Sequence, residues 1–516
     1  MRSWIRPVIA ALQLAVIVVI LLSCVLYSVV YIARWLDDTT YHIPAAVRIA
    51  HSWNPYAVDS PVDSHWFPAG AETLVAVLVW ATGSLYVTNL SGALCAIAIA
   101  ALMYRFAGLW SSDPLPRLAT VACVCTIPLL IGQSLAFYID IHLALLVCLS
   151  VYLQAVSLLR RDARYAYVGL TAAILTASVK YSGLQCVLVL APASAFCVMR
   201  AAAPRRPRAD AVALLAIALA FTAGWYVRNW MYRGNPIFSL AVPGWAQPLL
   251  SVSPAPYEAD EVDPLHVRAS PKTGWPHPWM PQSWLTHDYK PDMTHDAFGA
   301  SAVVSLACTL VSLVLLPWLP AREREVWIFT VLLATLLVVT LPSQAHVPRY
   351  ILCAPLLAGL SPAVLACVAS RRAARGVIEV LCVGMLALSA SYAYVNLLAP
   401  GTEWTKLRVA ASYLWPYRPH GLRQVGYAQP GHLRIGYTSG QGNMIALLYD
   451  PHLTNELVPL HYRNYVYNHG HEVASPEEFV ARVRALHLDY IHIFDEQYPG
   501  AALLRANFPD RVMPRQ

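Results

Sequence analysis

The sequence predicts an all-α polytopic membrane domain of about 11 transmembrane helices, followed by a small exterior α/β domain. Three observations predict it. The chain has 516 residues, of which 58% are hydrophobic and only 13% charged, where soluble domains carry about 25% charged residues. Its apolar runs repeatedly approach the roughly 17–25 residues that cross a bilayer. Beyond residue 400 the long apolar runs give way to short alternating segments.

The first run covers residues 8–31. Leu21-Leu22-Ser23-Cys24 weakly resembles a lipoprotein cleavage box. The run stays apolar well beyond a signal core, so it is read as a retained helix. Further crossings are expected at 86–104, 118–134, 139–159, 165–180, 181–200, 211–228, 298–318, 326–342, 350–369 and 376–397. Residues 71–84 form a run too short to span and are read as a helix at, or dipping into, the outer interface. Only Lys180-Tyr181 separates two crossings, which predicts a tight hairpin there.

Orientation follows from arginine. Arg2/Arg6, Arg105/Arg117, Arg160/Arg161/Arg164, Arg200/Arg205/Arg206/Arg208, Arg322/Arg324 and Arg371/Arg372/Arg375 all fall in the cytoplasm when eleven crossings are counted. The N-terminus is then cytoplasmic in a multi-pass cell (inner) membrane protein. Loops 34–85 and 228–297 lie outside. The membrane domain is 1–399 and the exterior domain 400–516. In that domain 433–437 and 490–494 read as strands and 477–488 as an amphipathic helix.

Several functions are disfavoured. The net charge of +7 is mostly arginine in short loops, which speaks to topology and not to nucleic acid. All eleven cysteines lie in or beside apolar runs, so no disulfide framework or zinc-type pair is expected in the hydrophilic stretches. No internal repeat is evident, which counts against a transporter built from matched halves.

The chemistry-bearing residues concentrate at the exterior edge. Asp37-Asp38-Thr39-Thr40-Tyr41-His42 places paired acids just past the first helix, where charge near hydrocarbon is expensive. The same edge collects His65-Trp66-Phe67-Pro68, Asp140, Lys180/Tyr181, Arg228/Asn229, His346 and Arg349/Tyr350. Each has a plainer reading. Asp37 and Asp38 suit a helix start near Tyr41. His42, four residues after Asp38, suits a structural hydrogen bond better than a cation site. Asp140 suits a helix cap as well as a site. Lys180, Arg228 and Arg349 singly suit snorkelling, though not all three together. Trp66, Trp225, Trp230 and the tryptophans of 275–284 suit an interfacial belt. Gly234-Asn235-Pro236 reads as a turn.

These residues resemble the GT-C class of polytopic glycosyltransferases, and within it the bacterial group of protein mannosyltransferases and the aminoarabinose lipid A transferase. The resemblance covers about residues 1–400. It rests on the acidic pair continuing into Ile43-Pro44, on Trp66-Phe67-Pro68-Ala69-Gly70, and on Asp140. It also rests on Ser178-Val179-Lys180-Tyr181-Ser182-Gly183, on Trp225-Tyr226-Val227-Arg228-Asn229 with Gly234-Asn235-Pro236-Ile237-Phe238, and on Pro348-Arg349-Tyr350. The acidic pair and the Arg-Asn…Gly-Asn-Pro element are its most specific parts.

The resemblance implies transfer of one sugar, with inversion, from a polyprenyl-phosphate donor to a glycan, lipid or protein acceptor at the exterior face. It implies that Asp37 or Asp38 is the general base. A phosphate leaving group needs positive charge where its own charge develops, and Arg349, Arg228 and Lys180 are the candidates. His42, His65, Trp66, Asp140, Asn229 and Tyr350 are candidates for lining the substrate site. Members of the class work with and without a divalent cation. A single acidic pair favours the metal-free chemistry, and no cofactor is assigned. The alternatives are a transporter and a surface-polysaccharide polymerase or ligase.

Overall fold

In a computed structural model the described residues are 4–30, 37–57, 66–201, 209–238, 298–340, 351–371, 375–394, 432–438, 448–450, 453–460, 463–465, 471–473, 475–493 and 500–512. They are mostly helical, with one small three-stranded sheet. The helices in chain order are α1 Ile5–Val30, α2 Ile43–Ser52, α3 Gly70–Thr82, α4 Leu90–Ala107, α5 Pro114–Cys125, α6 Pro128–Ser134, α7 Asp140–Arg160, α8 Ala163–Val179, α9 Ser182–Met199, α10 Ala209–Arg233, α11 Gly299–Val314, α12 Ala321–Thr340, α13 Cys353–Ala358, α14 Ser361–Arg371, α15 Arg375–Ala393, α16 Pro476–Ala485 and α17 Ala501–Asn507. The strands are β1 Arg434–Thr438, β2 Glu456–Leu460, β3 Arg463–Tyr465, β4 His471–Val473 and β5 Tyr490–His492.

Among the described residues five helices are long and apolar enough to cross a membrane: Ile5–Val29, Leu85–Ala107, Asp140–Arg160, Ser182–Met199 and Ala209–Tyr232. They fall on the expected crossings 8–31, 86–104, 139–159, 181–200 and 211–228, and they mark a membrane protein. The expected crossing 118–134 is instead a pair, α5 and α6, bent by 69°. The reason is Pro128. It brings no N–H to the helix and drives Ile127 into the extended region, at ψ 115°. The expected crossing 350–369 is likewise two helices, α13 and α14, interrupted at Gly359-Leu360. Residues 165–180, 298–318, 326–342 and 376–397 overlap α8, α11, α12 and α15.

The chain divides into two compact units. One takes residues 1–31, 89–222 and 274–412; the other takes 32–88, 223–273 and 413–516. The division falls inside α10, after Thr222.

The first unit is a helical bundle. Ile17, Ile20 and Cys24 of α1 pack with Ala93 and Ala100 of α4 and with Val121, Ala122 and Cys125 of α5. Small residues at these contacts let the backbones approach closely, as helices in lipid require. Polar groups tie α7, α8 and α9 together. Ser150 Oγ donates to Gly169 O at 2.8 Å, and Gln154 Nε2 donates to Leu190 O at 3.0 Å and Ser194 Oγ at 2.8 Å. The hairpin at Lys180-Tyr181 is as tight as expected: α8 ends at Val179 and α9 begins at Ser182. Only glycine fits at 183, because a Cβ there would overlap the Thr176 carbonyl. The eleven cysteines are free thiols.

The second unit combines the first-loop helices, the end of α10 and the C-terminal sheet. β1 lies between β2 and β5, all parallel. Ser475 caps α16 by accepting from Glu478 N at 3.1 Å. The apolar face of α16, with Phe479, Val480 and Val483, then joins Leu460, Leu488 and Ile491 of the sheet layer. β1, α16 and β5 coincide with the two strands and the helix expected there.

Candidate functional site

The second unit carries the acidic segment. Asp37 precedes a π-helical turn, Asp38–His42, which runs directly into α2. The side chain of Asp37 makes no capping bond. The backbone N–H of Ile43 bonds to Asp38 O, which closes the wide turn. Single π-turns inside helices recur at functional sites. Asp38 is fully buried, and so is His42.

The described partner of His42 is Glu72. Its Oε1 lies 2.6 Å from His42 Nδ1. Glu72 stands in the first turn of α3 and is itself buried. Its other oxygen, Oε2, is also buried and has no hydrogen-bond partner among the described residues. The structural hydrogen bond expected for His42 is therefore present, with an acid that the sequence reading passed over. The signal was available: a lone Glu in an apolar run is as costly as the Asp pair that drew attention.

Aromatic contacts carry the site onward. The Tyr41 ring lies 4.1 Å from that of His42 and meets Phe67 edge-on at 6.2 Å. Beside Phe67, the carbonyl of Trp66 accepts from Arg228 Nη2 at 2.6 Å and from Asn229 Nδ2 at 3.0 Å. Arg228 Nε also donates to Asn229 Oδ1 at 2.9 Å. The guanidinium sits 5.2 Å from the centres of both Trp66 and Trp225. Trp66 and Trp225 are buried around this cation, whereas Trp230 is exposed as a belt residue would be. Gly234, at φ 63°, ends α10, and Asn235 Oδ1 accepts from Ile237 N at 3.0 Å. The expected turn at Gly234-Asn235-Pro236 thus folds back on Asn229, whose Nδ2 reaches Pro236 O at 3.4 Å.

Two tyrosines of this unit have hydroxyls pushed up by burial. Tyr56 packs 4.7 Å from Trp225, and the charge of Arg228 works against that rise. Tyr449 of the C-terminal region is opposed in the same way by Arg48 of α2.

The first unit holds the other described candidates. Asp140 is the first residue of α7, and its carboxylate meets Lys180 Nζ at 3.0 Å. Ile139, not Asp140, occupies the cap position. A carboxylate in a helix's first turn is favoured by the helix dipole.

The sequence candidates thus fall into separate groups. Asp38, His42, Trp66, Arg228 and Asn229 belong to the second unit, and Asp140 and Lys180 to the first. Arg228 is engaged with Trp66 and Asn229, and Lys180 with Asp140. His65, His346, Arg349 and Tyr350 lie outside the described residues, as do 239–297 and 395–431. Among the described residues no group of three or more His, Cys, Asp or Glu side chains is arranged to hold a metal ion.

The features define a membrane protein with several apolar helices and a buried acid–imidazole site. No family model matches the chain, and no curated protein matches it.

Proposed function

We propose that this protein is a membrane glycosyltransferase that moves one sugar from a polyprenyl-phosphate donor to a hydroxyl-bearing acceptor. The observation that carries the reading is the Asp38 turn. A carboxylate buried in a mostly apolar chain, one turn from an imidazole that holds a second carboxylate, is an arrangement for moving protons. The resemblance places the general base at Asp37 or Asp38. The base is assigned to Asp38, which is buried in the turn, over Asp37, which is half-buried at its start.

In the proposed step Asp38 takes the acceptor's hydroxyl proton. The oxygen forms a bond to the anomeric carbon from the face opposite the phosphate. The anomeric carbon–oxygen bond breaks, and its electron pair leaves with polyprenyl phosphate. Arg228 serves as a positioning residue that fixes the Trp66–Phe67 segment beside Tyr41. Arg349 is the remaining candidate for steadying the phosphate. Eleven crossings, a cytoplasmic N-terminus and an exterior reaction face complete the proposal.

Transport is the second reading, favoured by one observation: the Asp140–Lys180 pair inside a helical bundle. One experiment separates the two. Purified protein in liposomes is given a panel of polyprenyl-phosphate sugars and membrane glycolipids. Release of polyprenyl phosphate that Asp38→Asn abolishes supports transfer. Uptake of a solute without bond cleavage would replace it with transport.

A further inference from the structure

Apart from Glu72, α3 is apolar on every side, yet it is too short to span a bilayer and too exposed to be a core helix. Its 13 residues reach about 20 Å, against roughly 30 Å of bilayer hydrocarbon. Glu72, Val75, Ala76 and Val79 are buried. Leu74, Val77 and Trp80 follow at every third position along the other side and are exposed, at 65%, 45% and 61%. An apolar helix of this length that protein does not cover belongs at a membrane interface.

The polar side chains of α3 suit that setting. Its one acid, Glu72, is turned inward to His42. The hydroxyl of Thr73 donates to Ala69 O and that of Thr82 to Leu78 O, each at 2.8 Å. Gly83 closes the helix at φ 60°, with its N–H on Val79 O at 2.8 Å. Hydrocarbon demands this internal satisfaction of donors. At the rim the character changes. Trp53, 52% exposed, meets Trp80 edge-on at 5.1 Å. Beside Trp53 stand His51, Ser52 and Asn54, all exposed. Tryptophan between polar and apolar groups is the pattern of the headgroup level. Chain connection agrees. Only Gly83-Ser84 separates α3 from the span Leu85–Ala107, so Trp80 is within a short reach of a membrane boundary. The same unit holds the end of the span Ala209–Tyr232, where Trp230 is exposed.

We propose that the Leu74–Val77–Trp80 face of α3, rimmed by the Trp53–Trp80 pair, docks into one leaflet of the phospholipid bilayer. The tryptophan pair sits at the headgroup level, and Leu74 and Val77 sit among the upper acyl chains. The partner is bulk lipid and not a phosphate-bearing substrate, because α3 carries no Lys or Arg to meet a phosphate. The surface is independent of the transfer reading and would serve a transporter equally. It sets the depth of the candidate site, since α3 also carries Glu72 to the imidazole of the Asp38 turn.

The test is photo-crosslinking of the full-length protein in phosphatidylcholine liposomes. p-Benzoylphenylalanine, which links to a neighbouring C–H bond on illumination, replaces Leu74, Trp80 or His51, one at a time. All three positions are exposed, so the bulky group leaves the core intact. Mass spectrometry then identifies what is attached. Phospholipid linked through its acyl chain is expected at positions 74 and 80, and is expected to be lost at 51 on the polar rim. A second measurement needs no crosslinker. Lipids brominated on the upper acyl chain quench tryptophan fluorescence, and the quenched fraction should fall in Trp53→Phe/Trp80→Phe relative to wild type. Links from 74 and 80 to a second copy of the chain would make the face a subunit interface and overturn the proposal. So would the absence of lipid adducts at both positions, or an unchanged quenched fraction. Neither readout involves turnover, so failure of the transfer reading leaves the docking surface to be judged by these results alone.

Discussion

Two buried carboxylates in this protein are neutralised in different ways. In the second unit Glu72 faces an imidazole at 2.6 Å, with side-chain exposures of 4% and 2% for Glu72 and His42. In the first unit Asp140 faces an ammonium at 3.0 Å, with exposures of 1% for Asp140 and 21% for Lys180. Lys180 is partly exposed and reaches from the α8–α9 hairpin to the start of α7, so that pair is a clamp between the two. Glu72 and His42 are both sealed from water, and their contact joins α3 to the Asp38 turn. The same desolvation problem is met at the water-facing edge of a helical bundle in one place and in a closed interior in the other.

The largest expected effect sharpens that contrast through activity. Asp38→Asn should lower transfer by about 10²–10⁴-fold, the usual contribution of general base catalysis, with membrane levels unchanged. Full turnover in this variant would remove the base from the turn. Next comes the clamp. Lys180→Met removes the ammonium that faces the buried Asp140 carboxylate and should lower stability by about 1–3 kcal/mol. Asp140→Asn/Lys180→Met should recover most of it. Thermal unfolding in detergent reads both, and equal losses in the single and double variants would mean that the pair is no clamp.

Smaller effects follow. Gly183→Ala places a methyl against the Thr176 carbonyl and should cost about 1–3 kcal/mol by overpacking the hairpin that carries Lys180. Asn229→Ala removes one donor to the Trp66 carbonyl and should cost about 1 kcal/mol. The smallest effect lies in the C-terminal sheet. Burial pushes His492 below the ordinary imidazole value. The folded state therefore binds that proton less well than the unfolded chain does. The contribution is fully present above about pH 6.5 and is lost as pH falls through the lowered folded value. Protection of the Tyr490–His492 amides against hydrogen exchange, taken relative to the intrinsic rate at each pH, should fall in acid in wild type and less so in His492→Gln.

Much of the helical pattern was legible because apolar length is a local property. Residues 8–31, 139–159 and 181–200 carry long uninterrupted runs, and helices lie there. The break at 118–134 was legible too, since Pro128 inside an apolar pattern ends a helix. The high hydropathy of the run masks that proline. The acidic turn stood out because two charges sit side by side beyond a membrane-length helix. Glu72 did not, because a single acid in Ala71-Glu72-Thr73-Leu74 gains its meaning from His42, which reaches it only after α2 packs on α3. The same holds for Arg228. Its charge suggested an anion, and its burial against Trp66, Trp225 and Asn229 is a tertiary fact. Long-range pairing of lone polar residues is the information that periodicity leaves out.

The role proposed for the Asp38 turn is sugar transfer from a lipid-linked donor. Mass spectrometry of lipid extracts tests it most directly, comparing cells that carry wild-type protein with cells that carry Asp37→Asn/Asp38→Asn at equal membrane abundance. A polyprenyl-phosphate sugar should accumulate in the variant while one sugar disappears from a surface glycolipid or glycan. Identical extracts from the two strains would contradict it.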